Sequence, residues 1–316
     1  MAHTDNNKHS RKNTDNETQF PLAGVIGVVA ESADEITLAK QSGLSCVELR
    51  VDLLLSTGST VAAVIAMVAQ ARQSDLAVLV TIRHPTHGGK FDGTEPERVS
   101  LCQQMVEAGA NIVDLEWDSE AANLVGSDSM DLILSYHNFE SMISTTELDQ
   151  LTHDIQGRKN GNVRAIKVVP TASSVSDAAS ILDWVDQGQN NRIARIGFAM
   201  GKQGACSRLL TTAFGGAVTY ASFGTPVAPG QIDLHEMLDN YRVPLLDKDT
   251  RITAVIGAEL DSVKLDDNVT TLNDEYAAAS SDSARIERVA IGFDTNQLKA
   301  LENHKQLLRI DNVIQL

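Results

Sequence analysis

A chain of 316 residues with 42% apolar side chains and 21 glycines has the composition of a folded globular protein, which excludes a disordered or fibrous chain. Its length suits about two domains of roughly 150 residues, or one α/β barrel of about 250. With 26 basic against 42 acidic residues the net charge is −16, which repels phosphate backbones and anionic lipid, so neither nucleic acid nor membrane is an expected partner.

Residues 1–20 hold almost no apolar side chains and are expected to form a disordered tail. The basic stretch at 8–12 is separated by acidic and polar residues from the apolar run at 20–30, so a secretory leader is not expected. From Leu22 onward, Val- and Ile-rich runs alternate with helix-like segments. Strands are expected at 24–30, 45–52, 77–83, 111–117, 131–137, 163–169, 193–200 and 217–222. Helices are expected at 32–42, 59–73, 95–108, 119–123, 145–155, 174–186 and 205–212, with a last one at 232–241. Eight βα units in about 220 residues match a compact TIM barrel. A doubly wound sheet often carries a Gly-rich first turn, and Ala30-Glu31-Ser32 is not one. The fold expected is α/β: a (β/α)8 barrel over 21–244, followed by a small C-terminal extension over 245–316. Within the extension, strands are expected at 252–257 and 288–293. Cys46, Cys102 and Cys206 form no metal or redox spacing and fit a reducing cytoplasm. No apolar run approaches the ~20 residues of a membrane span.

Several strands carry charge on one face. In the segment 46–52 the period of two puts Val47, Leu49 and Val51 on one side and Glu48, Arg50 and Asp52 on the other. Strands of a parallel barrel are buried on both faces, so such charges are paired or line a site. Arg83 ends the third strand, Asp114 and Glu116 share a face of the fourth, His137 ends the fifth, and Lys167 lies inside the apolar run 165–169. All sit toward strand C-termini, where barrel active sites are built. Asp52, Asp114 and Glu116 read mainly as ion-pair support. Lys167, flanked by Ile166 and Val168, fits either a Schiff-base nucleophile or an ion pair with Glu48 or Glu116. His137 on the adjacent strand fits a general acid and base.

Two loops add an anion site. The turn 201–204 is Gly-rich but lacks the Walker spacing, so nucleotide binding is not expected. Arg208 in the helix after it reads as a carboxylate clamp, because a guanidinium fork binds both oxygens. Ala228-Pro229-Gly230-Gln231 is a rigid turn that presents the Gln231 amide to the same anion.

These segments closely resemble type I 3-dehydroquinate dehydratase: Glu48-Leu49-Arg50-Val51-Asp52, Thr81-Ile82-Arg83 with Gly88-Gly89, Asp114-Leu115-Glu116-Trp117, and Ser135-Tyr136-His137-Asn138-Phe139. So do Ile166-Lys167-Val168-Val169-Pro170, Met200-Gly201-Lys202-Gln203-Gly204 through Ser207-Arg208, Phe214-Gly215-Gly216-Ala217 and the 228–231 turn. They occur in family order over about 22–241. The resemblance implies a hydro-lyase of the shikimate pathway, without metal or cofactor, acting on 3-dehydroquinate as a cytoplasmic homodimer. It implies that Lys167 forms an imine with the C3 carbonyl and that His137 removes the C2 proton and protonates the departing C1 hydroxyl. Arg208 and Gln231 would hold the substrate carboxylate, and Glu48, Arg50 and Arg83 the ring hydroxyls. Two positions depart from the pattern. His87 stands where the family often has a glutamate beside the catalytic histidine, which implies altered pH tuning, and Val227 replaces a polar contact. The other reading is a barrel that binds the ligand without turning it over. The 252–257 run resembles the opening strand of shikimate dehydrogenase, but the Ser-containing motif expected after it is missing. The extension therefore reads as a degenerate remnant, not a second enzyme.

Overall fold

The computed structural model describes residues 20–124, 130–158, 162–189, 191–258, 262–280 and 285–316. Of the tail expected to be disordered, 1–20, only Phe20 falls within them. Eight parallel strands curl into one sheet: β1 (Gly24–Val29), β2 (Cys46–Arg50), β3 (Ala77–Thr81), β4 (Ile112–Glu116), β5 (Asp131–Asn138), β6 (Asn162–Pro170), β7 (Ala194–Gly197) and β8 (Val218–Ser222). Their order is β7-β6-β5-β4-β3-β2-β1-β8, with the two-residue β9 (Ile232–Asp233) beside β8. Between β7 and β8 the Ala217 amide donates to the Arg195 carbonyl at 2.9 Å. That bond closes the ring next to a four-residue strand.

The crossovers carry α1 (Asp34–Gln41), α2 (Val51–Ser56), α3 (Val61–Gln73), α4 (Glu95–Glu107), α5 (Glu120–Leu124), α6 (Thr145–Gln156), α7 (Val175–Asp186) and α8 (Ala205–Leu210). Local chemistry sets where they start. Thr94 and Glu97 form a capping box at α4, with Pro96 in its first turn, and Ser144 and Glu147 form another at α6.

Strand alternation produces two separate cores. The outward residues Val47, Leu49, Val78, Val80, Leu132 and Leu134 pack against helix residues such as Ile36, Val68 and Leu182. The inward residues Ile26, Cys46, Leu79, Ile112, Ile133, Ala165 and Ile196 fill the barrel interior. Each buried aliphatic side chain contributes about 1.5–3 kcal/mol relative to exposure. One pleat further toward the C-terminal end, the same inward face changes character to Glu48, Thr81, Asp114, Ser135 and Lys167, all buried. The apolar plug thus forms the floor of a charged mouth.

Two local expectations are corrected. The second strand ends at Arg50, and Asp52 lies in the first turn of α2. The Arg50 fork holds it there at 2.9 and 2.8 Å, and the Lys90 amide donates to it at 3.0 Å. The helix expected at 232–241 is instead β9 followed by a π-helical turn, Glu236–Asn240. Asp233 accepts from the Gly224 and His235 amides, both at 2.9 Å, which ties the chain back to the β8 loop and delays the helix.

The extension holds β10 (Arg251–Gly257), α9 (Ser262–Ala279), β11 (Arg288–Asp294), α10 (Leu298–His304) and β12 (Ile310–Gln315), with its parallel strands in the order β11-β10-β12. Ile252, Ile256, Ile291, Phe293 and Leu301 join the same apolar cluster as the barrel helices. Among the described residues no helix is long and apolar enough to cross a membrane.

Candidate active site

All eight residues singled out in the sequence, Glu48, Arg50, Arg83, His87, His137, Lys167, Arg208 and Gln231, line one cavity at the C-terminal end of the barrel. Strand register explains the meeting. In the β5–β6 ladder Ser135 lies opposite Lys167 and His137 opposite Val169, so the lysine and the histidine occupy the inner face of adjacent strands, about one pleat apart.

Lys167 is 5% exposed. Its Nζ donates to Asp114 Oδ2 at 2.9 Å and stands 4.2 Å above the Tyr220 ring. Its partner is therefore Asp114, not Glu48 or Glu116. Glu48 accepts from the Thr81 hydroxyl at 2.6 Å, and Glu116 is taken by Arg83 at 3.1 Å and Arg98 at 2.5 Å. Arg83 also donates to Asp114 at 3.0 Å and to Ser135 at 2.8 Å. Burial alone would push the Asp114 carboxyl up, but Arg83 and Lys167 outweigh it and hold that group well below the usual carboxylate range. Gly89 fixes the loop that carries Arg83 into place. A Cβ there would lie 1.9 Å from the Arg83 carbonyl oxygen, so only glycine allows the chain to fold back so closely.

His137 is held well below its ordinary value, first by burial and then by the positive charges of Arg83 and Lys167. It is therefore a neutral imidazole at physiological pH, and its buried Nδ1 has no partner among the described residues. His87 adds a further positive influence on it. The His87 Nε2 lies 3.9 Å from Asp118 Oδ1.

Arg208 is 2% exposed, donates to the Pro229 carbonyl at 3.1 Å and lies 4.6 Å over the Phe198 ring. Burial pulls its guanidinium down to about 10, still charged at neutral pH, and its Nε has no partner among the described residues. Gln231, which lines the cavity, accepts from the Val227 amide at 2.8 Å through Oε1, so its amide NH2 is not used in that bond. Arg50, Arg83, Arg98 and Lys167 each hold an ion pair with Asp52, Asp114, Glu116 or Glu95, whereas Arg208 has no carboxylate partner among the described residues. A chain of net charge −16 thus keeps one buried guanidinium without a carboxylate at its barrel mouth, suited to one small carboxylate.

The model of the type I 3-dehydroquinase family matches residues 25–247. The chain belongs to that family. It is 31% identical over 221 residues to the 3-dehydroquinate dehydratase of Dehalococcoides mccartyi, covering 68% of this chain and 93% of that protein. It is 28% identical to the bifunctional 3-dehydroquinate dehydratase/shikimate dehydrogenase of Arabidopsis thaliana, over 73% of this chain and 38% of that longer protein. The dehydroquinate dehydratase and shikimate dehydrogenase structure of S. pombe AroM matches 93% of this chain and 56% of its own length, with a TM-score of 0.59 and 20% identity. At that identity the likeness is one of fold, and it runs past the family-matched barrel into the extension.

Within the type I 3-dehydroquinase barrel, two contributors, Tyr220 and Phe198, were not singled out by sequence reasoning, and a third, Asp114, was not assigned to the lysine. Tyr220 forms the wall under Lys167, with its buried hydroxyl unpartnered among the described residues and pushed well above its ordinary value by burial, then Glu48 and Asp114. Phe198 supplies the stacking face for Arg208. Asp114, read as support, is the direct partner of the lysine. The period of two in β8 places Tyr220 inward with Val218, a signal available in the sequence. Among the described residues no group of three or more His, Cys, Asp or Glu is arranged to hold a metal ion.

Proposed function

We propose that this type I 3-dehydroquinase, a hydro-lyase of the shikimate pathway, dehydrates 3-dehydroquinate through an imine on Lys167. The observation that carries the reading is the buried Lys167 amine beside a neutral His137, in a cavity whose one unmatched cation is Arg208. Arg208 and the Gln231 amide take the substrate carboxylate, which supplies the missing negative charge. The Lys167 ammonium lends one proton to neutral His137, the freed amine adds to the C3 ketone, and that proton returns to the carbinolamine oxygen as it leaves as water, so the resulting iminium keeps the original positive charge within reach of Asp114. That iminium draws electrons from the C2–H bond. His137 takes the C2 proton, the enamine expels the C1 hydroxyl, and His137 returns the proton to it as water. Hydrolysis of the imine consumes one water and frees 3-dehydroshikimate, so the net change is loss of one water.

The depressed basicity of His137 suits both halves of that cycle. The imidazole is unprotonated when it acts as a base, and the imidazolium it forms readily gives the proton up. Arg83 and Arg50 line the cavity, each with part of its guanidinium on Asp114, Glu116, Ser135 or Asp52 and with further N–H donors for a ring hydroxyl. Their proposed role is accordingly to order the carboxylates and to hold a ring hydroxyl, and Glu48 also faces one. His87 is proposed to tune His137. A cytoplasmic homodimer belongs to the same reading, supported for the compartment by three buried free cysteines.

Borohydride added with 3-dehydroquinate is expected to trap a covalent adduct on Lys167, located by peptide mass spectrometry. A folded protein that gives no adduct overturns the imine. His87 is what favours the second reading, a barrel that binds without turnover. The absorbance of the conjugated product separates the two, since ligand binding with no product supports that alternative.

A further inference from the structure

The type I family match ends at residue 247, and the chain beyond that point grips the barrel at defined positions. Asp294, at the end of β11, lies 3.8 Å from Lys202 in the turn between β7 and α8. Three residues on, Gln297 Oε1 accepts from the Val175 amide at 3.0 Å, at the start of α7. Asp294 and Gln297 are each 8% exposed, so the extension presents both from a buried position, although the Lys202 side chain that meets Asp294 is largely in solvent. Lower on the same side, Arg309 donates to the Ala213 carbonyl at 3.0 Å and lies 3.9 Å over the Phe214 ring.

The two gripped loops are the ones after β6 and β7. They also hold each other: the Met200 amide donates to the Pro170 carbonyl at 2.7 Å, and the Ala172 amide to the Met200 carbonyl at 3.0 Å. From Lys202 the contact passes to the carboxylate side of the cavity. Gly201, at φ +81°, packs so closely on Gly230 that a Cβ at Gly230 would lie 2.9 Å from the Gly201 carbonyl oxygen. Gly230 separates Pro229, whose carbonyl receives Arg208, from Gln231.

The barrel ties this corner to β8 through a side chain, the Thr219 hydroxyl donating to the Arg208 carbonyl at 2.7 Å, and not through a strand ladder. β7 has four residues and stops at Gly197, and the bond between it and β8 lies at the opposite end of the strand, at Arg195. Beyond Gly197 the chain toward Arg208 has no ladder on the β8 side among the described residues.

We propose that the C-terminal extension is a brace for the carboxylate-binding corner, with Lys202, Asp294 and Gln297 as positioning residues that act through the 201–204 and 228–231 turns. The proposal rests on the reading of Arg208 and Gln231 as the carboxylate site. None of the three touches the cavity; they set the distance between Arg208 and Gln231.

The test uses the full chain and two readouts: steady-state KM and kcat for 3-dehydroquinate, and amide hydrogen exchange over residues 198–210. Lys202→Asp, at a largely exposed side chain, places two carboxylates together and is expected to raise KM on the order of tenfold, with a much smaller change in kcat, and to speed exchange in that segment. The double change Lys202→Asp with Asp294→Lys is expected to restore both. Gln297→Leu removes the acceptor for the Val175 amide and is expected to act the same way, while Gln297→Glu keeps an acceptor oxygen and preserves KM. Unchanged KM and exchange in Lys202→Asp and Gln297→Leu would overturn the brace. So would a double change that restores neither, since the single effects would then be general destabilisation. Exchange reads the brace whether or not product forms, so a wild-type protein without turnover refutes the dehydratase reading separately.

Discussion

Asp114→Asn removes one charge and almost no volume, and it isolates what holds the cavity together. Asp114 is 1% exposed and accepts from Lys167 at 2.9 Å, Arg83 at 3.0 Å and Ser135 at 2.6 Å. An asparagine offers one oxygen where three donors converge, and its NH2 faces a cation. Lys167 then loses its ion-pair partner and Arg83 one of its two. Removing one partner of a buried pair costs about 3–5 kcal/mol. That corresponds to a fall in the urea midpoint on the order of 1 M for a chain of this size. The sign of the pH dependence comes from the depressed carboxyl. Its stabilisation is fully present above the unfolded value of about 3.9 and is lost as pH falls through the lower folded value. The gap between wild type and variant is therefore widest near neutral pH and narrows in acid. Urea unfolding monitored by circular dichroism at pH 7 and near pH 3 measures it. A variant within about 1 kcal/mol of wild type at pH 7 would refute the network as drawn. A gap that does not change with pH would refute the assignment of the missing charge to Asp114. Borohydride trapping on the folded variant gives the functional side, with a reduced adduct yield expected because the iminium loses its facing carboxylate.

Three other outcomes are expected from the same geometry. In His87→Glu a carboxylate replaces a group that pushes His137 down, so the acid limb of the kcat profile is expected to move up by about one pH unit; a stationary limb would show that His87 does not act on His137. Arg208→Lys keeps the charge but loses the planar fork, and KM for 3-dehydroquinate is expected to rise about 10- to 100-fold with kcat less affected; an unchanged KM would move the carboxylate elsewhere. Burial pushes the Cys46 thiol up to about 11 and Cys102 and Cys206 to about 12, so none is expected to react with a thiol reagent at pH 7 until urea unfolds the chain; modification of the native protein would show the core to be open.

The barrel was legible because its strands obey the period of two and because charge inside them has few explanations. Glu48, Arg83, His137 and Lys167 could be placed at one mouth from position along their strands alone. The identity of the partner of Lys167 was not legible, for a geometric reason. Tracing ladder register from Lys167 to Ser135 and from Ser135 to Glu116 puts Glu116 level with the lysine. Strands of such a barrel tilt by about 36°, with a shear of eight over eight strands, so level position drifts about one residue per strand. Across two strands that drift is two residues, from Glu116 to Asp114, which is where the 2.9 Å contact lies. A pattern of inward charges therefore names the set of residues that meet, and only the tilt assigns the pairs within it. The same limit hid Asp52, because Val51-Asp52-Leu53-Leu54 continues a plausible strand and only the Arg50 fork shows the turn into α2. The extension was least legible of all. What it does for the barrel runs through Gln297 to a backbone amide and Asp294 to an exposed lysine, contacts between residues more than 90 positions apart. Neither leaves a period or a motif in the chain, and each takes its meaning from a barrel seam that local pattern cannot reveal.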